Sequence, residues 1–256
     1  MAKYSLCCIG YLTKDKLVTS ESTVDMPGGT TAYYFAEAMN RLCPEDFQLI
    51  TLPEEDQVQA KQDLFQDIDA EVIHIGNLFQ ANLSVDTIKF LATKGLLSAD
   101  IPSSLCNGKV LAADWEEKCE MLKYVHTLRA NYNVVCAITE CSETHEAALM
   151  LAALGVKEVV LTLGEQGSLI YAKGEFTEVP SYPVIGVVDA AGCGDTYMAG
   201  YLYQRSKGAS YQEAGNFASA MCTIKLQSHG PFNSSEDVVR KIMSTSSSMD
   251  RLGVCI

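Results

Sequence analysis

The sequence predicts an α/β fold, a three-layer αβα sandwich around a mostly parallel central sheet. Segments that read as strands and as helices alternate along the chain. The strand segments centre on short apolar runs near Leu6, Ile50, Ile73, Val135 and Val160. Runs of that kind are buried on both faces, so helices must cover the sheet from both sides. No linker divides the 256 residues, which are expected to form one domain over 1–256. In such sheets ligands sit beyond the carboxyl ends of the strands, so the loops that follow strands are where chemistry is expected.

Tyr4–Gly10 is a short apolar run with a glycine stop, hence a buried strand, with further short strands at Asp15–Thr19 and Thr23–Met26. Thr30–Leu42 carries Ala32, Phe35, Ala36 and Met39 at helical spacing. Phe47–Leu52 reads as a strand, Glu54–Asp69 as an acidic helical connection, and Glu71–Ile75 as a strand ending at Gly76. A helix over Ser84–Lys94 stops at Gly95, and Leu96–Ala99 is a strand. Ala113–Arg129 reads as a helix and Asn133–Ile138 as a strand, after which Ser142 caps a helix ending at Gly155. Glu158–Leu163, Ser168–Ala172 and Phe176–Val179 are strands, the last two joined by a Lys173-Gly174 turn. A helix runs from Gly192 to Lys207 with Gly208 beyond its end. Ser210 and Glu213 form a capping box for the next helix, which reaches about Leu226, and a last helix starts near Ser235.

Composition narrows the function. Basic residues number 19 against 32 acidic ones, a formal charge of −13, which leaves no basic footprint for nucleic acid. A phosphate ligand would have to be held by backbone N–H groups or a metal, because the overall field repels it. The ten cysteines contain no CxxC pair and no zinc spacing, and read as small buried hydrophobes of a reducing, cytoplasmic setting. The apolar start, Tyr4 to Leu12, runs into Lys14, Asp15 and Lys16 without a cleavage site. The longest apolar stretch, Ala147–Val156, is too short to span a bilayer, so no membrane partner is expected.

The strongest chemical signal is Asp189-Ala190-Ala191-Gly192-Cys193-Gly194-Asp195 at the start of a helix. Glycines let the backbone approach a ligand, and a helix N-terminus presents free N–H groups to an anion. Asp195 falls in the first turn, where the dipole stabilises a carboxylate. Beside a bound phosphate it can accept the proton of an attacking hydroxyl, which is the layout that phosphoryl transfer to an alcohol needs. A Gly-rich turn with an aspartate cap is the plain structural alternative. Other nucleotide motifs fail: GxxxxGK[ST] is absent, and Tyr197 stands where a dinucleotide site wants its third glycine. Cys193, a thiol between two glycines at a helix start, is placed for a lowered pKa and sensitivity to oxidation, or is a substitute for alanine.

These residues resemble a known family. Asp189–Asp195, followed by Ala199-Gly200-Tyr201-Leu202, resembles the carboxyl-terminal signature of ribokinase-like (PfkB) carbohydrate kinases, Asp-Thr-x-Gly-Ala-Gly-Asp. Pro27-Gly28-Gly29-Thr30-Thr31-Ala32 resembles the family's amino-terminal Gly-Gly motif. Cys8-Ile9-Gly10 with Asp15 resembles its opening strand and substrate aspartate, and Thr162-Leu163-Gly164-Glu165-Gln166-Gly167 its Thr-x-Gly-x-x-Gly turn. The resemblance implies that Asp195 is the catalytic base and that the backbone of Ala191, Gly192, Cys193 and Gly194 is the anion hole. It makes Asp15, Gly28 and Gly29 contacts for substrate hydroxyls, with Tyr33 in place of the Asn that often follows the Gly-Gly motif. Thr162, Gly164, Gly167, Ser219 and Gly230 become nucleotide contacts. Ala190 replaces a preferred Thr, Cys193 an Ala or Gly, and Ser219 a common Asn. The Asn-x-x-Glu metal motif is matched only by Glu140-Cys141-Ser142-Glu143, which leaves Glu143 to position Mg²⁺ through waters.

The resemblance implies an ATP- and Mg²⁺-dependent kinase for a hydroxyl of a sugar, sugar phosphate or polyol. Two readings stay beside it. One is a kinase for a nucleoside or a hydroxymethylpyrimidine- or pyridoxal-type alcohol, with Tyr33, Tyr34 and Phe35 available to stack on a ring. The other is a sugar- or nucleotide-binding protein on a degenerate kinase scaffold. Family members run several dozen residues longer, and only 45 residues separate Gly29 from Ile75 here. That implies a reduced β lid around 15–26, with a pocket either open or closed by a partner subunit in a homodimer.

Overall fold

In the computed structural model the described residues are 2–11, 14–18, 23–27, 31–52, 62–79, 83–101 and 115–251. Eight strands among them form one sheet: β1 (Tyr4–Tyr11), β4 (Phe47–Leu52), β5 (Ala70–Ile75), β6 (Leu96–Ile101), β7 (Val125–Asn131), β8 (Glu158–Thr162), β9 (Ser168–Ala172) and β10 (Glu175–Val179). Their order is β10-β9-β8-β7-β6-β5-β1-β4. β4 through β8 and β1 pair in parallel, with Ile9 opposite both Ile50 and Ile75, while β9 and β10 add antiparallel strands at one edge. The alternation along β1 divides the core into the two expected layers. Cys7 and Ile9 join the side chains of Ile88, Leu122, Val135 and Leu151 on one face. Leu6 and Cys8 join Phe35, Met39, Met198, Tyr201 and Phe217 on the other.

The first face is covered by α2 (Val85–Ala92), α3 (Trp115–Leu122), α4 (Tyr132–Thr139) and α5 (Thr144–Ala153). The second is covered by α1 (Thr31–Leu42), α6 (Cys193–Ser206), α7 (Tyr211–Leu226) and α8 (Glu236–Arg251). On that second face His74 stacks on Phe35 at 4.6 Å, while its Nδ1 meets Ser98 Oγ at 3.1 Å. Tyr201 donates to the buried Glu158 at 2.7 Å, and Arg205 approaches the same carboxylate at 3.4 Å, which ties α6 to the sheet. Helix α7 starts with both hydrogen bonds of the Ser210–Glu213 capping box. No helix among the described residues is long and apolar enough to cross a membrane.

One region differs from the sequence reading. Val125–Asn131, expected at the end of a helix, is strand β7, and Asn133–Ile138, expected as a strand, lies in helix α4. The polar residues His126, Arg129 and Asn131 hide a strand whose Val125, Thr127, Leu128 and Ala130 are buried between β6 and β8. Asn131 then leaves the sheet extended, and its side chain accepts from Asn133 N at 3.0 Å, which starts a helix. Val134, Val135 and Thr139 bury one face of that helix, so tertiary packing overrides the strand preference of the Val pair. Helix α5 is likewise preceded by Glu143 rather than Ser142. Of the expected 54–69 helix, residues 54–61 lie outside the described residues, and Gln62–Phe65 is a single 3₁₀ turn burying Phe65.

A separate antiparallel ribbon joins β2 (Lys14–Val18) to β3 (Thr23–Pro27), with Asp15 opposite Met26 and Val18 opposite Thr23. It falls in the chain between the carboxyl end of β1 and the start of α1.

Candidate active site

The chain converges on the start of α6. Gly192 is the N-cap residue, at φ +69, and a Cβ there would overlap the ring of Tyr34 from α1. Glycine is therefore required twice over, by the left-handed backbone and by the space. Gly194, one turn-position on, has no carbonyl of a preceding turn to accept its N–H. A Cβ on Gly194 would overlap the guanidinium of Arg129, so this cation packs against the first turn of the helix.

Arg129 stands near the carboxyl end of β7 with its side chain only 12% exposed. One nitrogen donates to Thr162 Oγ1 at 3.2 Å and another reaches Asp100 Oδ2 at 3.4 Å. Its Nε, and Asp100 Oδ1, are buried without a hydrogen-bond partner among the described residues. Burial pushes the Asp100 carboxyl up to about 8; Arg129 pulls it back only in part, and the nearby Asp195 charge adds to the rise. Asp195, half-buried in the first turn of α6, is also pushed up by burial. The Arg129 charge and a hydrogen bond from the Thr31 hydroxyl restrain that shift. The site thus holds a carboxylate with raised proton affinity beside a fixed cation at a helix N-terminus.

The loop that leads to α6 is built around Asp189. Lys225, fully buried on α7, donates to the Asp189 carbonyl at 2.8 Å and to Oδ2 at 2.9 Å. Gly230 N–H reaches Oδ2 at 3.2 Å, and Ala191 N–H reaches Oδ1 at 2.9 Å. Burial works against the charge, yet these bonds hold the Asp189 carboxyl below its ordinary value. Ala191 and Cys193 spend their N–H groups inside the loop, Cys193 on Ala190 O at 3.2 Å. Of the four expected anion-hole residues, then, Gly192 and Gly194 are the ones these loop bonds leave to a ligand.

The structure brings Asp195, Gly192, Cys193 and Gly194 together, and joins Thr162 to them through Arg129. Gly230 and Ala191 meet at Asp189. Gly164 (φ +64) and Gly167 (φ +90) shape the turn after β8. Ser219, buried on α7, donates to Pro180 O at 2.9 Å. Beside that turn a cavity of about 420 Å³ is lined by Thr144, His145, Leu163, Gln166, Glu178 and Pro180, among others, and by none of residues 189–195. Tyr33 is half-buried in the first turn of α1, its ring 5.4 Å from that of Tyr34. Phe35, offered as a stacking residue, is wholly buried against the sheet. Asp15 lies in β2, with only its backbone described, and Gly28 and Gly29 lie outside the described residues. Glu143 is exposed at the cap of α5. Among the described residues no three His, Cys, Asp or Glu side chains gather to hold a metal.

Arg129, Asp100, Thr31 and Lys225 were not singled out by sequence. Asp100 had a signal, an acid within the buried run Leu97–Ile101. Arg129 was hidden by the mistaken helix, and Lys225 by its place among apolar residues of α7.

A pfkB family carbohydrate kinase pattern matches residues 13–238. A ribokinase from Arabidopsis thaliana is 28% identical over 187 residues, 70% of this chain and 48% of the relative. A cytidine kinase from Thermococcus kodakarensis is 34% identical over 96 residues, 37% of this chain and 34% of the relative. The chain thus spans about half the length of the first of these relatives and a third of the second. The solved ribokinase of Thermotoga maritima shares the fold, with a TM-score of 0.69 at 16% identity over 94% of this chain and 99% of the other. With the match covering most of its length, this chain belongs to the PfkB family of carbohydrate kinases.

Proposed function

We propose that the protein transfers the γ-phosphoryl group of ATP to a hydroxyl of a sugar, sugar phosphate or polyol. The observation that carries this is Asp195: a carboxyl of raised proton affinity in the first turn of α6, beside Arg129 and the Gly192–Gly194 backbone. Asp195 takes the proton of the acceptor hydroxyl, whose oxygen forms the new bond to phosphorus as the bond to the ADP oxygen breaks. The amides at Gly192 and Gly194 and the Arg129 guanidinium face the charge that develops on the transferred group. Mg²⁺, when bound, would add positive charge that neutralises the phosphoryl oxygens further. The Glu143 contribution to that ion rests on the resemblance alone. Asp15, Gly28, Gly29 and Tyr33 are the proposed acceptor contacts, with β2–β3 as a short cover over them. Thr162, Gly164, Gly167, Ser219 and Gly230 are the proposed nucleotide wall.

A nucleoside acceptor is the second reading, favoured by the likeness to a cytidine kinase and by the half-buried Tyr33 ring near the site. A panel of sugars, inositols and nucleosides, scored by ADP release, separates the two. An Asp195→Asn enzyme is expected to lose turnover by at least 10²-fold on the best substrate, and full turnover would overturn the assignment. Binding across the panel with no ADP formed would favour a non-catalytic scaffold.

A further inference from the structure

Two thiols face each other at the root of the anion loop. Cys193 is the first residue of α6, half-buried between Gly192 and Gly194. Helix α7 packs back along α6, with Phe217 near Tyr203, Met221 against Gly200, and Cys222 against Cys193. The Cys222 thiol lies within hydrogen-bonding reach of both the Cys193 carbonyl, at 3.2 Å, and the Cys193 sulfur. The other described cysteines offer no such pair: Cys7 and Cys8 are sealed inside β1, where burial pushes both thiols up.

We propose that Cys193 and Cys222 are a redox modification site, in which a hydroperoxide oxidises Cys193 and Cys222 resolves it to an intramolecular disulfide. The Cys193 thiolate sulfur attacks one peroxide oxygen and the O–O bond breaks. The departing oxygen leaves as hydroxide and takes up the proton that the Cys193 thiol released, giving water, and Cys193 becomes a sulfenic acid. The Cys222 sulfur then attacks that sulfur and the S–O bond breaks. A second water leaves with the Cys222 proton. Two thiols lose two electrons, and hydrogen peroxide becomes two waters. The surroundings favour the first step. The Cys222 hydrogen bond draws the Cys193 thiol down against the cost of burial, and the Arg129 and Lys225 charges add to it. The partner thiol is pushed up by the same contact, so it keeps its proton until the sulfenic acid forms. The disulfide would tether the first residue of α6 to α7 and take the anion loop out of use. That consequence, unlike the disulfide, rests on the phosphotransferase reading.

The test is thiol mapping of the intact protein after graded hydrogen peroxide, with alkylation, digestion without reductant and mass spectrometry. A Cys193–Cys222 linked peptide, absent before peroxide and lost with dithiothreitol, is expected to be the first disulfide to form. In Cys222→Ser the link is absent, and Cys193 is trapped by dimedone as its sulfenic acid. The proposal is overturned if both peptides remain alkylated while other cysteines oxidise. It is overturned equally if Cys222→Ser leaves Cys193 unlabelled by dimedone. The mapping needs no turnover, so it stands apart from any failure of the kinase assays. Loss of ADP release in step with the crosslink, and its return with dithiothreitol, tests the consequence.

Discussion

Replacing Lys225 with Met keeps most of the stem volume and removes one charge from the buried centre of the anion loop. The Lys225 side chain is fully buried, and its ammonium makes two bonds to Asp189, whose side chain is 21% exposed. Removing one partner of a buried pair costs about 3–5 kcal/mol, because the other charge is left without compensation. Asp189 keeps the N–H groups of Ala191 and Gly230 and some contact with water, so the low end, about 3 kcal/mol, applies here. For a chain of this size each kcal/mol moves the unfolding midpoint by about 2–4 °C, so a fall of about 6–12 °C is expected. The assay is thermal unfolding by circular dichroism at fixed protein concentration, on Lys225→Met, Asp189→Asn and the double variant. The double variant should recover part of the loss, since neither charge is then stranded. ADP release should fall further than stability does, because Asp189 also holds the Ala191 N–H that orients the loop. A midpoint within 2 °C of the parent, or strictly additive losses in the double variant, would refute the pairing as the loop's anchor.

The acid limb of kcat/KM should lie above the ordinary aspartate value, because burial raises Asp195 and the base works only when deprotonated. It should vanish with the activity in Asp195→Asn, as a pH-rate profile can show. Asp100, pushed up to about 8, makes stability fall with rising pH. The folded chain keeps a proton there that the unfolded chain releases near its ordinary value, so the contribution is full in acid and lost as pH climbs toward 8. Denaturant midpoints of Asp100→Asn measured across that window should show a shallower decline than the parent. Gly194→Ala places a methyl group in the space of the Arg129 guanidinium, so it should lower ADP release by about 10²-fold or more if the cation is displaced from the site. Unchanged kinetics in that variant would separate Arg129 from the chemistry.

The α/β alternation, the boundaries of α1, α6 and α7, and the capping box at Ser210 were legible because each rests on signals within a few residues of one another. The helix start at Gly192 was legible for the same reason: its glycines and Asp195 fall within one short segment. The segment 113–139 was not. There the polar strand β7 is stabilised by β6 and β8, which are distant in sequence, and the apolar segment after it is a helix because the sheet offers a face to cover. Glu143 was read from a likeness to a metal motif, and its side chain is exposed at the cap of α5.

What local pattern settled about this protein is its class, and it pointed to Asp195 as the proposed base, since a helix start with glycines before an acid is written in consecutive residues. The identity of the cation beside that aspartate was settled by packing. Arg129, Asp100 and Thr162 come from three adjacent strands and meet only when β6, β7 and β8 align in register. Lys225 reaches Asp189 only because α7 folds back along α6. Charges brought together across such distances in the chain leave no periodicity to read; burial of Asp195 raises its proton affinity, and the Arg129 charge that packing sets beside it restrains the rise.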